Sequence, residues 1–163
     1  MITTELVKQL RDRTGISVMQ CKVALEETVG DIEKAVALLA QNSAKVAGKK
    51  SDRTLGAGVI ASYIHSTGNI GTMVELLCET DFVARSDEFV KLARDIAMHA
   101  TATNPKYLKV EDMTEGGGSE DVLLNQAFIK NPEVTITNII EGAIQKFGEK
   151  IELSRFVRFS ISE

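Results

Sequence analysis

Cysteine and histidine are the residue types in this sequence that could support covalent chemistry or hold a metal ion. Cys78 could form a nucleophilic pair with His65 or His99, because a neighbouring histidine activates a thiol. However, Cys78 alternates with Val74 and Leu76 along a strand-like run, and a thiol on the inward face of a strand is more often inert packing. Neither histidine has further ligands at metal spacing. The sequence therefore predicts no enzymatic chemistry, no metal site and no cofactor, with the histidines structural or facing a partner.

An aspartate next to a phenylalanine follows this run. Asp81 and Phe82 lie within CETDFVARSDEF, residues 78–89, between the strand and a helix whose predicted N-cap is Ser86. The Phe82 ring could be a hydrophobic staple beneath that helix. Alternatively, it could be displayed, ready to insert into a pocket on a partner. The residues alone favour the staple.

Composition restricts the class of protein. A chain of 163 residues, 44% hydrophobic and 26% charged, is typical of one globular domain or of a small module plus a modest core. We expect a cytoplasmic protein, because no stretch is apolar enough to span a bilayer and the first residues do not resemble a signal peptide. A net charge of -4 argues against direct nucleic-acid binding. Cys21 and Cys78 are expected to be buried free thiols.

Residues 1–42 predict a module of three short helices, hereafter the N-terminal module. Thr4 is the expected cap of the first helix, Ser17 with Gln20 forms a capping box for the second, and Asp31 caps the third. From residue 43 to residue 57 the composition changes to Ala, Gly, Lys and Ser, which indicates a basic linker that could begin as a helix.

Residues 58–163 predict an α+β core, in which a small antiparallel sheet packs with helices. Strands at 59–65 and 72–79 form a hairpin, and helices follow at 87–103 and 137–147. The Gly-Gly-Gly-Ser segment within 111–124 has the composition of a flexible linker. Several apolar residues are expected to face inward. They are Phe89, Ala93, Ile96 and Ala100 in the first helix, and Ile151, Leu153, Val157, Phe159 and Ile161 in the last strand.

Seven short motifs occur together along the chain. They are Arg11-Asp12-Arg13-Thr14-Gly15, Met19-Gln20-Cys21-Lys22-Val23-Ala24-Leu25, Gly30-Asp31-Ile32-Glu33-Lys34-Ala35, Glu79-Thr80-Asp81-Phe82-Val83-Ala84-Arg85, Ile96-Ala97-Met98-His99, Gly148-Glu149-Lys150-Ile151 and Arg155-Phe156-Val157-Arg158-Phe159. Together they resemble the bacterial elongation factor Ts family over nearly the whole chain. The resemblance implies that residues 1–42 have a ubiquitin-associated-like fold.

The resemblance also implies a function, which is guanine nucleotide exchange on elongation factor Tu without any bond being made or broken. Residues Thr80 to Val83 would contact the GTPase, with the Phe82 ring wedged beside its Mg²⁺ and phosphate region and Asp81 assisting. With the resemblance, display of Phe82 becomes the preferred interpretation. A second contact would be made by Arg11, Met19 and Lys22 of the N-terminal module. For Arg11 and Lys22, an ordinary solvated helix face remains an alternative.

The chain departs from the family pattern in one place. Short family members usually carry a helical hairpin between the middle and final helices, whereas this chain passes from Met113 through Gly-Gly-Gly-Ser to Leu123. Two rival functions stay open. One is an adaptor that binds a ubiquitin-like or nascent-chain partner through residues 1–42, which leaves residues 78–85 unexplained. The other is an enzyme that uses Cys78. The sequence also leaves open whether two copies form a homodimer.

Overall fold

The structure is a computed structural model that describes residues 1–162. It contains helices and small antiparallel sheets, of which the larger has three strands, so the predicted α+β class is confirmed. In chain order the elements are α1 Thr4–Thr14, α2 Val18–Glu27, α3 Ile32–Lys49, β1 Ala57–Ile64, β2 Ile70–Cys78, α4 Asp81–Ala84, α5 Asp87–Thr103, β3 Ala127–Phe128, β4 Asn131–Thr135, α6 Ile136–Phe147 and β5 Glu152–Ser160.

Side-chain caps fix where the first three helices begin. The first cap is Thr3 rather than Thr4, and its hydroxyl accepts a hydrogen bond from the Leu6 amide at 3.2 Å. Ser17 and Asp31 cap α2 and α3 as predicted. The Ser17 hydroxyl accepts from the Gln20 amide at 3.3 Å and donates to Gln20 Oε1 at 3.2 Å. Each cap satisfies an amide that the helix itself leaves without a partner.

The three N-terminal helices enclose an apolar cluster separate from that of the sheet. Its buried members are Val7, Leu10, Cys21, Ala24, Leu25, Ala35 and Leu39. These residues recur at helical spacing, so each helix contributes one apolar stripe to a common centre.

The segment predicted to be a linker from residue 43 begins as helix. Helix α3 continues to Lys49, because its Ala, Lys and Val residues are compatible with a helix once they find a packing surface. That surface is α6. Ser43 is buried, and its hydroxyl donates to Gln145 Oε1 at 2.5 Å, while Val46 and Ala47 pack against the core of the sheet. Only residues 50–56 form an irregular connection to β1.

The central sheet has the strand order β1-β2-β5, with both pairs antiparallel. The predicted hairpin is present, and its register pairs Val59 with Leu76. Helix α5 covers the inner face of the sheet, and it begins at Asp87 and ends at Thr103 as predicted. The four residues expected to face inward are all fully buried: Phe89, Ala93, Ile96 and Ala100.

The prediction for the last strand is wrong beyond Leu153. Ile151 and Leu153 are buried, but Val157 is 38% exposed and Phe159 71% exposed. The cause is a β-bulge, since Leu76 pairs with Leu153 while the neighbouring Glu75 pairs with Arg155. The extra residue reverses the alternation of faces, so Val157 and Phe159 turn outward while Phe156 packs against the core. Ile161, just after the strand, is also exposed.

The segment around the glycines is better packed than its composition indicates. Val122 and Leu123 are fully buried, and Tyr107 forms an isolated parallel bridge with Val122. Short 3-10 turns occur at 110–112, 119–121 and 123–125, followed by β3 and β4, which the sequence did not predict. Gly116 is exposed and lies in the left-handed region at φ +89°, whereas Gly117 and Gly118 are half-buried.

His99 is a fully buried histidine in this core. Its Nδ1 accepts a hydrogen bond from the Ile129 amide at 3.2 Å, so Nε2 carries the proton that is shared with Gln126 Oε1 at 2.9 Å. Thr103 donates to the same Gln126 oxygen at 2.8 Å. Helix α5 is thereby joined to the chain that leads into β3 by a polar cluster built around neutral imidazole.

Lowering the pH should destabilise the protein through His99. Burial lowers the pKa of His99, only partly opposed by the contact with Gln126, so the unfolded chain binds a proton at higher pH than the native state does. The free energy of unfolding should therefore fall as the pH drops through about 6.5, the ordinary pKa of histidine. Urea unfolding at several pH values gives the free energy of unfolding as a function of pH. The slope of this dependence should be smaller for His99→Gln than for the wild type. His65→Gln, at an exposed position, should keep the wild-type slope. Equal slopes in all three proteins would contradict this role.

Candidate partner-binding site

The chain between β2 and α5 forms a single helical turn, α4, which exposes one side and buries the other. Thr80 caps this turn, and its hydroxyl accepts from the Val83 amide at 3.4 Å. Val83 and Ala84 are buried in the core of the sheet, whereas Asp81 and Phe82 are exposed. The buried pair fixes the turn, and the exposed pair stands on the opposite side because successive pairs in a helical turn face different directions.

Phe82 is displayed. Its side chain is 89% exposed, so the ring does not form a staple beneath α5. The buried aromatic role belongs to Phe89, which packs edge-on against Phe147 with ring centroids 6.2 Å apart. Val83 was predicted to contact a partner, but it is 5% exposed. Its side chain instead anchors α4 to the core.

Glu149 holds the entry to this turn. Its Oε1 accepts hydrogen bonds from the Glu79 amide at 3.1 Å and the Thr80 amide at 3.0 Å, and its Oε2 accepts from the Thr80 hydroxyl at 2.7 Å. Arg53 lies alongside, and its Nη1 donates to the Gly148 carbonyl at 3.2 Å and to Glu79 Oε2 at 3.4 Å. Sequence reasoning missed both roles, because nothing in the local pattern indicates which distant residues meet the end of β2.

Neither cysteine is arranged for nucleophilic chemistry. Both are free and buried. The Cys78 thiol donates to the Thr80 carbonyl at 3.3 Å, and burial, reinforced by the nearby Glu149 carboxylate, raises the pKa of Cys78. A raised pKa disfavours the reactive thiolate. The histidines bond elsewhere, His65 with the Tyr63 hydroxyl at 3.3 Å and His99 with Gln126.

Among residues 1–162, no three His, Cys, Asp or Glu side chains come together as a potential metal site. Nor does the same range contain a helix with the length and apolar character needed to cross a membrane.

A second exposed surface lies on the N-terminal module. Helix α2 presents Val18, Met19, Lys22 and Val23, hereafter the α2 patch, to solvent. Met19 is 71% exposed, and the Lys22 ammonium forms an exposed ion pair with the Glu26 carboxylate at 3.9 Å, a kind of pair that contributes little to stability. Arg11 on α1 is also exposed. The three residues predicted for this contact are therefore all accessible.

The module is joined to the core by a polar contact at the end of α1. Arg13 donates from Nη1 to Glu33 at 2.9 Å and from Nε to Glu133 on β4 at 2.7 Å. The Asn131 side chain donates to the Arg13 carbonyl at 2.6 Å. Together with the packing of α3 on α6, this contact ties the α2 patch to the body that carries Phe82.

The fold and these surfaces define a class of protein. It is a helical module that exposes an apolar patch, joined to an α+β core that exposes the Phe82 ring. Comparison with known proteins agrees. The sequence profile described as Elongation factor TS matches residues 3–117. The protein named Elongation factor Ts from Carboxydothermus hydrogenoformans is 42% identical over 196 residues, covering 100% of this chain and 90% of the relative.

Two further relatives carry the same name. The protein from Thermosipho melanesiensis is 42% identical over 196 residues, with 100% of both chains covered, and that from Heliobacterium modesticaldum is 40% identical over 196 residues, with 100% of this chain and 91% of the relative covered. The chain belongs to the elongation factor Ts family. Because the alignments run over 196 residues and this chain has 163, it is a shorter form of the family.

Proposed function

We propose that this protein is a guanine nucleotide exchange factor for elongation factor Tu, acting in the cytoplasm, where translation takes place. The observation that carries the proposal is Phe82, a large apolar ring exposed on a turn whose other side is anchored in the core. Because Val83 and Ala84 fix the backbone of the turn, insertion into a partner has to order only the Phe82 side chain, so more of its contact energy is available for binding.

In the proposed mechanism, the factor binds a conformation of the GTPase that holds GDP and Mg²⁺ weakly. Phe82 packs beside the metal and phosphate region of the GTPase, and the exposed Asp81 carboxylate assists the displacement. Thr80 caps the turn and, being exposed, also belongs to the proposed contact. No covalent step is involved. The two binding events are thermodynamically linked. If the factor weakens nucleotide binding by a given free energy, bound nucleotide must weaken binding of the factor by the same amount.

The direct test is release of fluorescent GDP from elongation factor Tu after addition of excess unlabelled GDP. Increasing concentrations of this protein should raise the release rate to a plateau. Excess Mg²⁺–GDP should in turn dissociate the complex, as reciprocity requires. If GDP release stayed at the basal rate at concentrations where this protein and elongation factor Tu form a stable complex, the proposal would be excluded. A pull-down that retrieved a ubiquitin-like protein instead of elongation factor Tu would favour the adaptor function.

The α2 patch, with Arg11, is the proposed second contact with the GTPase. Met19→Ala should raise the concentration needed for half-maximal stimulation about tenfold, the typical effect of truncating an exposed apolar anchor at an interface. The plateau rate should stay near the wild-type value, because Phe82 is unchanged. Lys22→Ala should show a smaller shift in the same direction. Gln41→Ala, at an exposed position on α3, is the matched control and should behave as wild type.

We also propose that two copies associate through the outer face of the sheet. This face carries exposed Ile60, Ile64, Met73 and Phe159. At its centre Arg155 pairs with Glu75 at 2.9 Å. A twofold axis that passes between these two groups, perpendicular to the line joining them, would present each charge to its opposite in the second copy. Sedimentation velocity should show a dimer that Phe159→Asp converts to a folded monomer. A wild-type monomer at high micromolar concentration would refute the dimer and leave the exchange function untouched.

A further inference from the structure

The loop that presents Phe82 begins just after β2, where two backbone amides are no longer paired within the sheet. β2 stops at Cys78, so the amides of Glu79 and Thr80 have no partner strand beyond this point. Glu149 Oε1 accepts from both amides, at 3.1 Å and 3.0 Å, and Oε2 accepts from the Thr80 hydroxyl at 2.7 Å. One carboxylate therefore replaces the missing strand.

The Glu149 carboxylate also influences how α4 is oriented, through its contact with Thr80. Thr80 is the N-cap of that turn, and its hydroxyl both donates to Glu149 and accepts from the Val83 amide at 3.4 Å. The rotamer of Thr80 thus depends on Glu149, and the start of the turn depends on Thr80. Phe82 is two residues further on and, being 89% exposed, has little packing of its own to fix its direction.

We propose that Glu149 is a positioning residue for nucleotide exchange, which holds the Thr80 turn so that Phe82 projects in one direction. This inference rests on the proposed exchange function. Arg53 supports it from the other side, by joining Glu79 to the Gly148 carbonyl next to Glu149. The residue that organises the exchange loop comes from the connection between α6 and β5, far from the loop in sequence.

Replacing Glu149 by alanine should loosen the loop while leaving the exposed Asp81 and Phe82 side chains in place. Hydrogen exchange followed by NMR should show the Glu79 and Thr80 amides exchanging at least about tenfold faster in Glu149→Ala, since hydrogen bonds to a charged acceptor are among the stronger ones. Glu149→Gln keeps an oxygen that can accept from the two amides, so their hydrogen exchange should lie between the wild-type and alanine rates. Its NH2 group can only donate to the Thr80 hydroxyl, so the bond that this hydroxyl donates to Oε2 is lost. Glu152→Ala removes an exposed carboxylate nearby and is the charge-matched control.

The functional arm uses stimulated GDP release. Glu149→Ala should lower the plateau rate about tenfold while the half-saturating concentration stays within about threefold of wild type, because the α2 patch is intact. Glu149→Gln should recover part of the plateau, because it keeps the acceptor for the two amides and loses the acceptor for the Thr80 hydroxyl. In a Phe82→Ala background, Glu149→Ala should have no further effect, since a positioning residue acts only through the ring that it positions. If Glu149→Ala does not fold, Thr80→Val against Thr80→Ser tests the same hydroxyl contact.

The outcomes separate this inference from the proposed function. If the wild-type protein does not stimulate GDP release, the exchange function fails, and the amide exchange rates still decide whether Glu149 orders the loop. If the wild type is active and Glu149→Ala keeps the full plateau, the positioning role is overturned. It is equally overturned if the effects of Glu149→Ala and Phe82→Ala multiply, because that result indicates a structural role independent of the ring.

Discussion

Phe82→Ala should lose stimulated nucleotide release and keep its stability. The side chain is 89% exposed, so its removal leaves no cavity, and the free energy of unfolding should change by less than about 1 kcal/mol. The plateau rate of GDP release should fall roughly 30-fold or more, which corresponds to the loss of about 2 kcal/mol at an interface anchor. Thermal unfolding and the release assay on the same preparation measure both quantities.

Controls make this result specific to the ring. Asp81→Ala should give a smaller loss of release rate, and Ile129→Ala, at another exposed apolar position, should leave the rate unchanged. Phe82→Ala should still bind elongation factor Tu through the α2 patch. A stable variant with full exchange activity would remove Phe82 from the mechanism, and an unstable one would show that the ring contributes to packing.

Phe89→Ala is expected to give the opposite result, because this ring is fully buried. Truncation removes its edge-on contact with Phe147 and leaves a cavity between α5 and α6, which should cost roughly 3–5 kcal/mol. For a chain of this size, the melting temperature should fall by roughly 6–20 °C. Below that temperature the folded variant still carries Phe82, so its stimulated release rate per folded molecule should remain near the wild-type value.

The pair of variants therefore separates stability from function at two phenylalanines that follow one another closely in sequence. Phe89→Leu, which refills much of the cavity, should recover part of the lost free energy of unfolding. A change of less than about 1 kcal/mol in Phe89→Ala would mean that the site relaxes fully around the truncated side chain. Loss of exchange activity in a well-folded Phe89→Ala would show that α5 influences the exchange loop directly.

Features that depend on neighbours in sequence were predictable. Ser17, Asp31 and Ser86 act as caps, because a cap bonds amides only a few residues away. The inward stripe of α5 follows from the helical repeat, and the hairpin follows from two alternating runs joined by turn residues. The resemblance to the elongation factor Ts family was likewise carried by motifs that are each contiguous in the chain.

The tertiary structure alone decided which way several of these residues face. The bulge at Ser154 turns Val157 and Phe159 outward, and strict alternation along the strand could not anticipate it. Display of Phe82 depends on the burial of Val83 and Ala84 beneath it. The hold of Glu149 on Thr80 joins residues 69 positions apart. Contacts of this kind are selected by the packing of the whole core, and a local pattern contains no information about which distant group will satisfy a free amide.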